Sequence, residues 1–291
     1  MLKSIENRAL FLWSNKFLIP LAKLFIFGSV FLTLVFNDTN TLFHARIDIS
    51  GQPPQCYGIK NASIFCNINL EIARIISIFI LLWAVSGLFP RYSCIPTAYI
   101  TWSLSTSISV LEGGDQVASN LSILLVPLSI ADRRKNIWIE EAKINKIDKN
   151  IASITFINIS LQAIIIYFDA SMSKIKRPEW ADGSAMYYWT RDTTLGQGGS
   201  IDILLKYITY FPLGTVMLTW GTILLELLLV VATVASQKFR HFIAYVGIIF
   251  HLCILAYFGL FTFSLIMIGL IITYLLYDKR FGKFHAKRSH I

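Results

Sequence analysis

Charge is what this chain has least of. Charged residues fill 15% of its 291 positions, against roughly 25% in an ordinary soluble domain. Acidic groups are the scarcer sign, with 17 Asp and Glu against 26 Lys and Arg. Apolar residues make up 55% of the chain, and its mean hydropathy is +0.60. That balance excludes a water-soluble globular domain. Cysteine is also sparse. Cys56, Cys66, Cys94 and Cys253 form no CxxC and no Cys/His cluster at ligand spacing, so a zinc site has no support and no metal is expected. No Walker motif, GxSxG, HExxH or GxGxxG occurs, which removes the usual nucleotide, hydrolase, metalloprotease and dinucleotide readings. Internal repeats and low-complexity segments are absent as well.

What is present is a series of apolar runs approaching the roughly 20 residues that cross a bilayer as a helix. The fold class is therefore all-α, a polytopic transmembrane helix bundle of about eight spans. The spans are read at 17–36, 71–89, 95–111, 117–130, 151–168, 218–235, 242–257 and 260–277. The simplest organisation is one domain over 1–291, with an interfacial helix at 1–16, an outer loop at 170–204 and a basic tail at 278–291. Lys23, near the start of the first span, is read as snorkelling to the interface, with a buried cation as the alternative. The third run carries Thr97, Thr101, Ser103, Ser105, Thr106, Ser107 and Ser109. Small hydroxyls favour close helix packing, so this run is expected to face protein. The run at 117–130 is short and needs its flanks to cross. An interfacial piece is expected from Tyr207 to about Met217, because Pro212 and Gly214 interrupt that stretch.

The net charge of +9 reads as cytoplasmic loop bias, not as nucleic-acid binding. With both termini in the cytoplasm, inner segments hold 17 cations and outer ones 8, as the positive-inside rule requires. The tail suits an anionic inner leaflet. This orientation puts Cys56 and Cys66 outside, where a disulfide survives.

Four clusters could carry chemistry. The first is Glu112, Asp115, Gln116 and Asn120, around Gly113-Gly114, at the mouth of a short apolar run. Polar groups there are expensive in lipid and point to a cavity; the alternative is a polar turn. The second, Lys174 to Trp189, joins Lys174, Lys176, Arg177, Glu179 and Asp182 with Trp180, Tyr187, Tyr188 and Trp189. Its bland reading is an interfacial helix. A lysine there, partly withdrawn from water, becomes more available as a base. The third is Glu226 inside a leucine run, and the fourth is His251. Both are intramembrane ionisable groups, functional or simply satisfied in the core.

Gly113-Gly114-Asp115-Gln116, Asp132-Arg133-Arg134, Glu179-Trp180-Ala181-Asp182-Gly183-Ser184-Ala185, and His251 with Gly259-Leu260-Phe261-Thr262-Phe263-Ser264 together resemble the SdpB-type sporulation-delaying-protein family. That family belongs to the HTTM group, which is similar to the membrane part of vitamin K-dependent γ-carboxylase. The resemblance implies a multi-pass bacterial cell-membrane protein that works with an SdpA-type partner protein to mature a secreted antimicrobial peptide. Through the match of Trp180 and Gly183 to a carboxylase motif it further implies a base at Lys174, with Lys176 as rival. Asp115, Gln116 and His251 are expected to act with that base, and Glu112, Asn120, Trp180, Asp182 and Glu226 to line the pocket. A reduced quinone is the cofactor that the carboxylase likeness suggests. Two departures count against γ-carboxylation. The chain has no histidine near Asp115 to Leu121, and no segment resembles the carboxylase's lumenal substrate domain. Three functions follow as expectations: a peptide-maturation factor, a quinone-dependent carboxylase- or epoxidase-like enzyme, and a non-enzymatic peptide transporter or receptor.

Overall fold

The computed structural model describes residues 2–15, 17–43, 56–109, 113–142, 145–192 and 200–276. Those residues form an α-helical bundle, with one isolated antiparallel bridge, Leu88 to Asn136, as their extended pairing. In chain order the helices are α1 (Leu2–Ser14), α2 (Leu18–Phe36), α3 (Thr39–Phe43), α4 (Ile64–Asn67), α5 (Leu70–Ser86), α6 (Pro90–Ser107), α7 (Gly113–Ala131), α8 (Lys146–Ile175), α9 (Pro178–Ala181), α10 (Ala185–Trp189), α11 (Ser200–Ile208), α12 (Pro212–Ala232), α13 (Gln237–Phe258) and α14 (Phe261–Leu275).

Their ends have local causes. Asn69 caps α5 by accepting from the amides of Glu71 and Ile72. Asn145 and Asp148 form a reciprocal capping box at the start of α8, which satisfies two otherwise orphaned groups. Proline opens α6, α9 and α12 at positions where no intrahelical N–H is needed. Gly87 and Gly259 end α5 and α13 in the left-handed conformation.

By length and composition, α2, α8, α12 and α13 can each cross a membrane, and α14 is a shorter apolar helix. Their outward faces are oily. Ile72, Ile75, Phe79 and Leu82 on α5 are exposed at helical spacing, as are Ile154, Ile157, Leu161 and Ile165 on α8. Surfaces of that kind suit lipid as solvent. At the centre lies α14, buried on every side from Ile266 to Leu275, as expected of a helix apolar all round. It meets α2 closely at Gly269, where a Cβ would lie 2.8 Å from Ile26 Cγ1 and 3.0 Å from the Ala22 carbonyl oxygen. The hydroxyl-rich α6 faces protein: Thr101 Oγ1 and Ser122 Oγ of α7 lie 2.5 Å apart, and Ser107 donates to Ser63 at 2.7 Å.

Four expectations need revision. The helix read at 117–130 begins at Gly113, so Gly113 and Gly114 are its first turn and not a loop. Its 19 residues span about 28 Å, close to the hydrocarbon thickness. The helix read at 151–168 runs to Ile175, so Lys174 sits on a helix and not in the outer loop. The break in 207–235 falls at Thr209–Phe211, ahead of Pro212, and α12 runs unbroken to Ala232. Lys23 does not snorkel. It is 6% exposed and donates to Ser129 Oγ of α7 at 2.9 Å. One face of helix α1 packs inward, burying Phe11, Leu12 and Trp13, with Leu12 and Trp13 beside Ala152, Phe156 and Ile159 of α8. The basic tail at 278–291 and Glu112 lie outside the described residues.

Candidate functional site

The extension of α8 to Ile175 creates the site. Tyr167, Ser171 and Lys174 are spaced four and three residues apart on this helix, which stacks them on one face. Lys174 Nζ donates to Glu226 Oε1 of α12 at 2.6 Å. The two side chains are 24% and 8% exposed, and Ser171 Oγ, which donates to the Tyr167 carbonyl at 2.8 Å, lies 3.4 Å from Glu226 Oε2. A carboxylate in a leucine run is tolerable because it meets a cation and a hydroxyl at that depth. Trp180, buried on α9, brings its ring 5.5 Å from Lys174 Nζ, within cation–π range. Lys176, the rival position, is exposed at the helix cap.

Tyr167 links this pair to His251. Its hydroxyl lies 3.2 Å from His251 Nε2 on α13, and its ring lies 6.5 Å from that of Tyr274. The Tyr274 hydroxyl donates to the Leu229 carbonyl at 3.3 Å. His251 packs edge-on against Phe263 at 5.7 Å. Phe263 in turn meets the start of α7, where a Cβ on Gly114 would come within 2.7 Å of Phe263 Cα and 2.9 Å of its nitrogen. The backbone approach of α7 to α14 therefore requires glycine there.

One residue on, Asp115 is 4% exposed and lines a cavity of about 430 Å³. Its apolar walls come from Leu32 and Phe36 of α2, Leu42 of α3, Ile108 and Phe261. Thr33, Asn37 and Thr262 supply polar groups. The first expected cluster is therefore split. Asp115 faces inward, while Gln116 and Asn120, four residues apart, are exposed on another face of α7. Asp182 lies outside the buried seam, exposed beside α9. Its carboxylate accepts from the Ser184 hydroxyl at 2.6 Å and amide at 2.8 Å, and these bonds hold its carboxyl below the usual carboxylate range. Cys56 and Cys66 are joined by a disulfide beside α4.

Residue reasoning missed Tyr167 and Ser171. The signal was their spacing to Lys174, hidden by ending the helix at 168. It also missed a buried pair on the opposite end of the bundle, where Arg134 Nη2 donates to Asp132 Oδ2 at 2.6 Å.

No group of three potential metal ligands occurs among the described residues. A reduced quinone handled by Lys174 would need a flat apolar space beside Nζ. That atom is instead engaged by Glu226 and Trp180, and the large cavity is lined by Asp115 and not by Lys174. The residues present do not fit that cofactor at that position, and no step is drawn through it.

Comparison with known proteins places this arrangement. The HTTM domain model matches residues 121–279. The chain is 32% identical over 270 residues to "Uncharacterized protein YitO" of Bacillus subtilis (strain 168), covering 90% of this chain and 85% of that one. It is likewise 32% identical over 274 residues to "Sporulation-delaying protein SdpB" of the same organism, covering 90% and 81%. No solved structure matches. The chain is thus a multi-pass membrane protein of the HTTM family, of the SdpB type.

Proposed function

We propose that this protein is an integral membrane factor for the maturation of a secreted antimicrobial peptide, acting with an SdpA-type partner protein and with both termini in the cytoplasm. The observation that carries this reading is the 32% identity, across 90% of the chain, to a sporulation-delaying protein. The site is consistent with it. A buried Lys174–Glu226 pair, a Tyr167–His251 contact and the Asp115 cavity share one end of the bundle, where α8 and α13 finish and α7 and α14 begin. That end is the outer one in the proposed orientation, where an exported peptide would be met.

In chemical terms Lys174 and Glu226 form a part-buried ion pair, so the ammonium at the end of α8 is held by a carboxylate and is not a lone amine. Glu226 accepts from the Lys174 ammonium and Trp180 packs against that ammonium, so the lysine is oriented before a substrate arrives.

The test is the yield of mature peptide in cells carrying Lys174→Ala or Asp115→Ala, with the variant's amount in the membrane fraction followed in parallel. The reading expects mature peptide to be lost while the variants still insert. Normal maturation in both would overturn it.

A further inference from the structure

The turn between α9 and α10 lies against the start of α12. A Cβ on Gly183 would lie 3.1 Å from Val216 Cγ2 and 3.4 Å from the Trp220 ring, and the φ of +86° there is one that glycine favours. Beside this contact is a cavity of about 260 Å³, lined by Asp182, Ser184, Tyr187, Tyr210, Pro212 and Val216 among others. Both signs of charge meet it. Asp182 is exposed, and Ser184 donates to its Oδ1, so Oδ2 takes no hydrogen bond among the described residues. Arg191 stands behind two of the walls. Its Cζ lies 3.7 Å from the centroid of the Tyr187 ring, and its Nη1 donates to Thr209 Oγ1 at 3.1 Å. The guanidinium meets carbonyls and hydroxyls, but among the described residues no carboxylate lies within ion-pair distance of it and its Nε–H has no acceptor.

Away from the cavity the surface turns oily. Leu213, Val216, Met217, Trp220 and Leu224 are exposed at helical spacing along one face of α12, and that helix is long and apolar enough to cross a membrane. Tyr187 and Tyr210 of the cavity wall are exposed as well, and tyrosine is at home where hydrocarbon meets water. The cavity is smaller than the roughly 300–1,000 Å³ of sites that enclose a whole small ligand, so it suits a headgroup whose remainder lies outside. A cup reached by both charges and opening on a lipid-facing stripe has the layout of a phospholipid, charged at the head and apolar along the chain. A soluble cation would use the cup but not the stripe.

From this geometry we propose that the cavity between the α9–α10 turn and the start of α12 binds the zwitterionic headgroup of an aminophospholipid, with its ammonium on Asp182, its phosphate on Arg191 and an acyl chain along the exposed face of α12. The ammonium must carry protons, because a carboxylate takes charge-assisted hydrogen bonds from N–H donors and a quaternary choline has none to give. Arg191 suits the phosphate because a guanidinium presents several donors to one anion. The inference goes beyond the maturation reading and does not depend on it, since its test reads lipid binding alone.

The experiment uses the purified full-length protein in phosphatidylcholine nanodiscs at neutral pH. A trace of phosphatidylethanolamine with a diazirine on its acyl chain is photolysed, and its adducts are mapped by mass spectrometry. A phosphatidylcholine with the same photoreactive chain serves as control. The ethanolamine lipid should label Leu213, Val216 and Met217 about two- to fivefold more than the choline lipid, the range an exposed ion pair commands. Ile75 and Phe79, on the oily face of α5, should be labelled equally by the two. Asp182→Asn should remove the preference on α12, and Arg191→Gln should lower labelling there by both lipids. The wild-type comparison needs neither variant, so a variant that fails to insert leaves the test intact. Equal labelling of α12 by the two lipids in the wild type would overturn the proposal, and protection of the same residues by a soluble basic peptide would then give the cavity to peptide. A preference that survives Asp182→Asn, or that appears equally on α5, would overturn it as well.

Discussion

At the residue scale, Lys174 and Glu226 stand 52 positions apart in sequence and 2.6 Å apart in space. Removing one member of a fully buried ion pair costs roughly 3–5 kcal/mol, because the other charge is left without a partner. Lys174 is 24% exposed, so that range is an upper bound here. Glu226→Leu alone should lower the Tm of the detergent-solubilised protein, and Lys174→Met with Glu226→Leu should recover most of it. Peptide maturation should remain lost in the double variant. Recovery of both stability and maturation would reduce the pair to a structural fitting. Tyr167→Phe removes one neutral hydrogen bond to His251 and should cost about 1 kcal/mol, measured as a small fall in the same Tm.

At the element scale, the closest fit is between the first turns of α7 and α14. A Cβ on Gly114 would lie 2.7 Å from Phe263 Cα, whereas one on Gly113 would lie 3.8 Å from the Phe263 ring. Gly114→Ala must push two backbones apart, a change that typically costs about 1–3 kcal/mol. Gly113→Ala should be nearly silent, and thermal melting of the two variants separates them. Some of this was legible in the chain. Hydroxyl spacing on α6 announced its protein-facing role, and Gly113-Gly114-Asp115 announced a special place at the head of α7. The C-terminal end of α8 was not legible, because Ser171 and Lys174 read as polar solvent-facing residues when they stand alone. Their meaning depends on Glu226, which reaches them only through the packing of α12 on α8. Lys23 misled for the same reason: its acceptor, Ser129, is 106 positions away. Periodicity shows which face of a helix is oily, but not which distant polar group will meet a buried one.

At the scale of the whole molecule, the buried ionisable groups named above lie toward the two ends of the bundle. Lys23, Ser129, Asp132 and Arg134 lie toward one. Asp115, Lys174, Glu226 and His251 lie toward the other, together with the Cys56–Cys66 disulfide. In the proposed orientation, with both termini in the cytoplasm, the first end faces the cytoplasm. Alkaline phosphatase fused after Asp182 should therefore be active, and fused at the C-terminus inactive; the reverse pattern would invert the orientation and remove the site from the side where an exported peptide is met. The central claim is that this end changes such a peptide chemically. The most direct measurement is mass spectrometry of the secreted peptide from cells carrying the wild-type protein, a deletion and Lys174→Ala. The account predicts a mass or cleavage pattern that appears with the wild type and is lost in both other strains. A peptide of identical mass in all three, differing only in how much leaves the cell, would contradict it and make the protein a carrier.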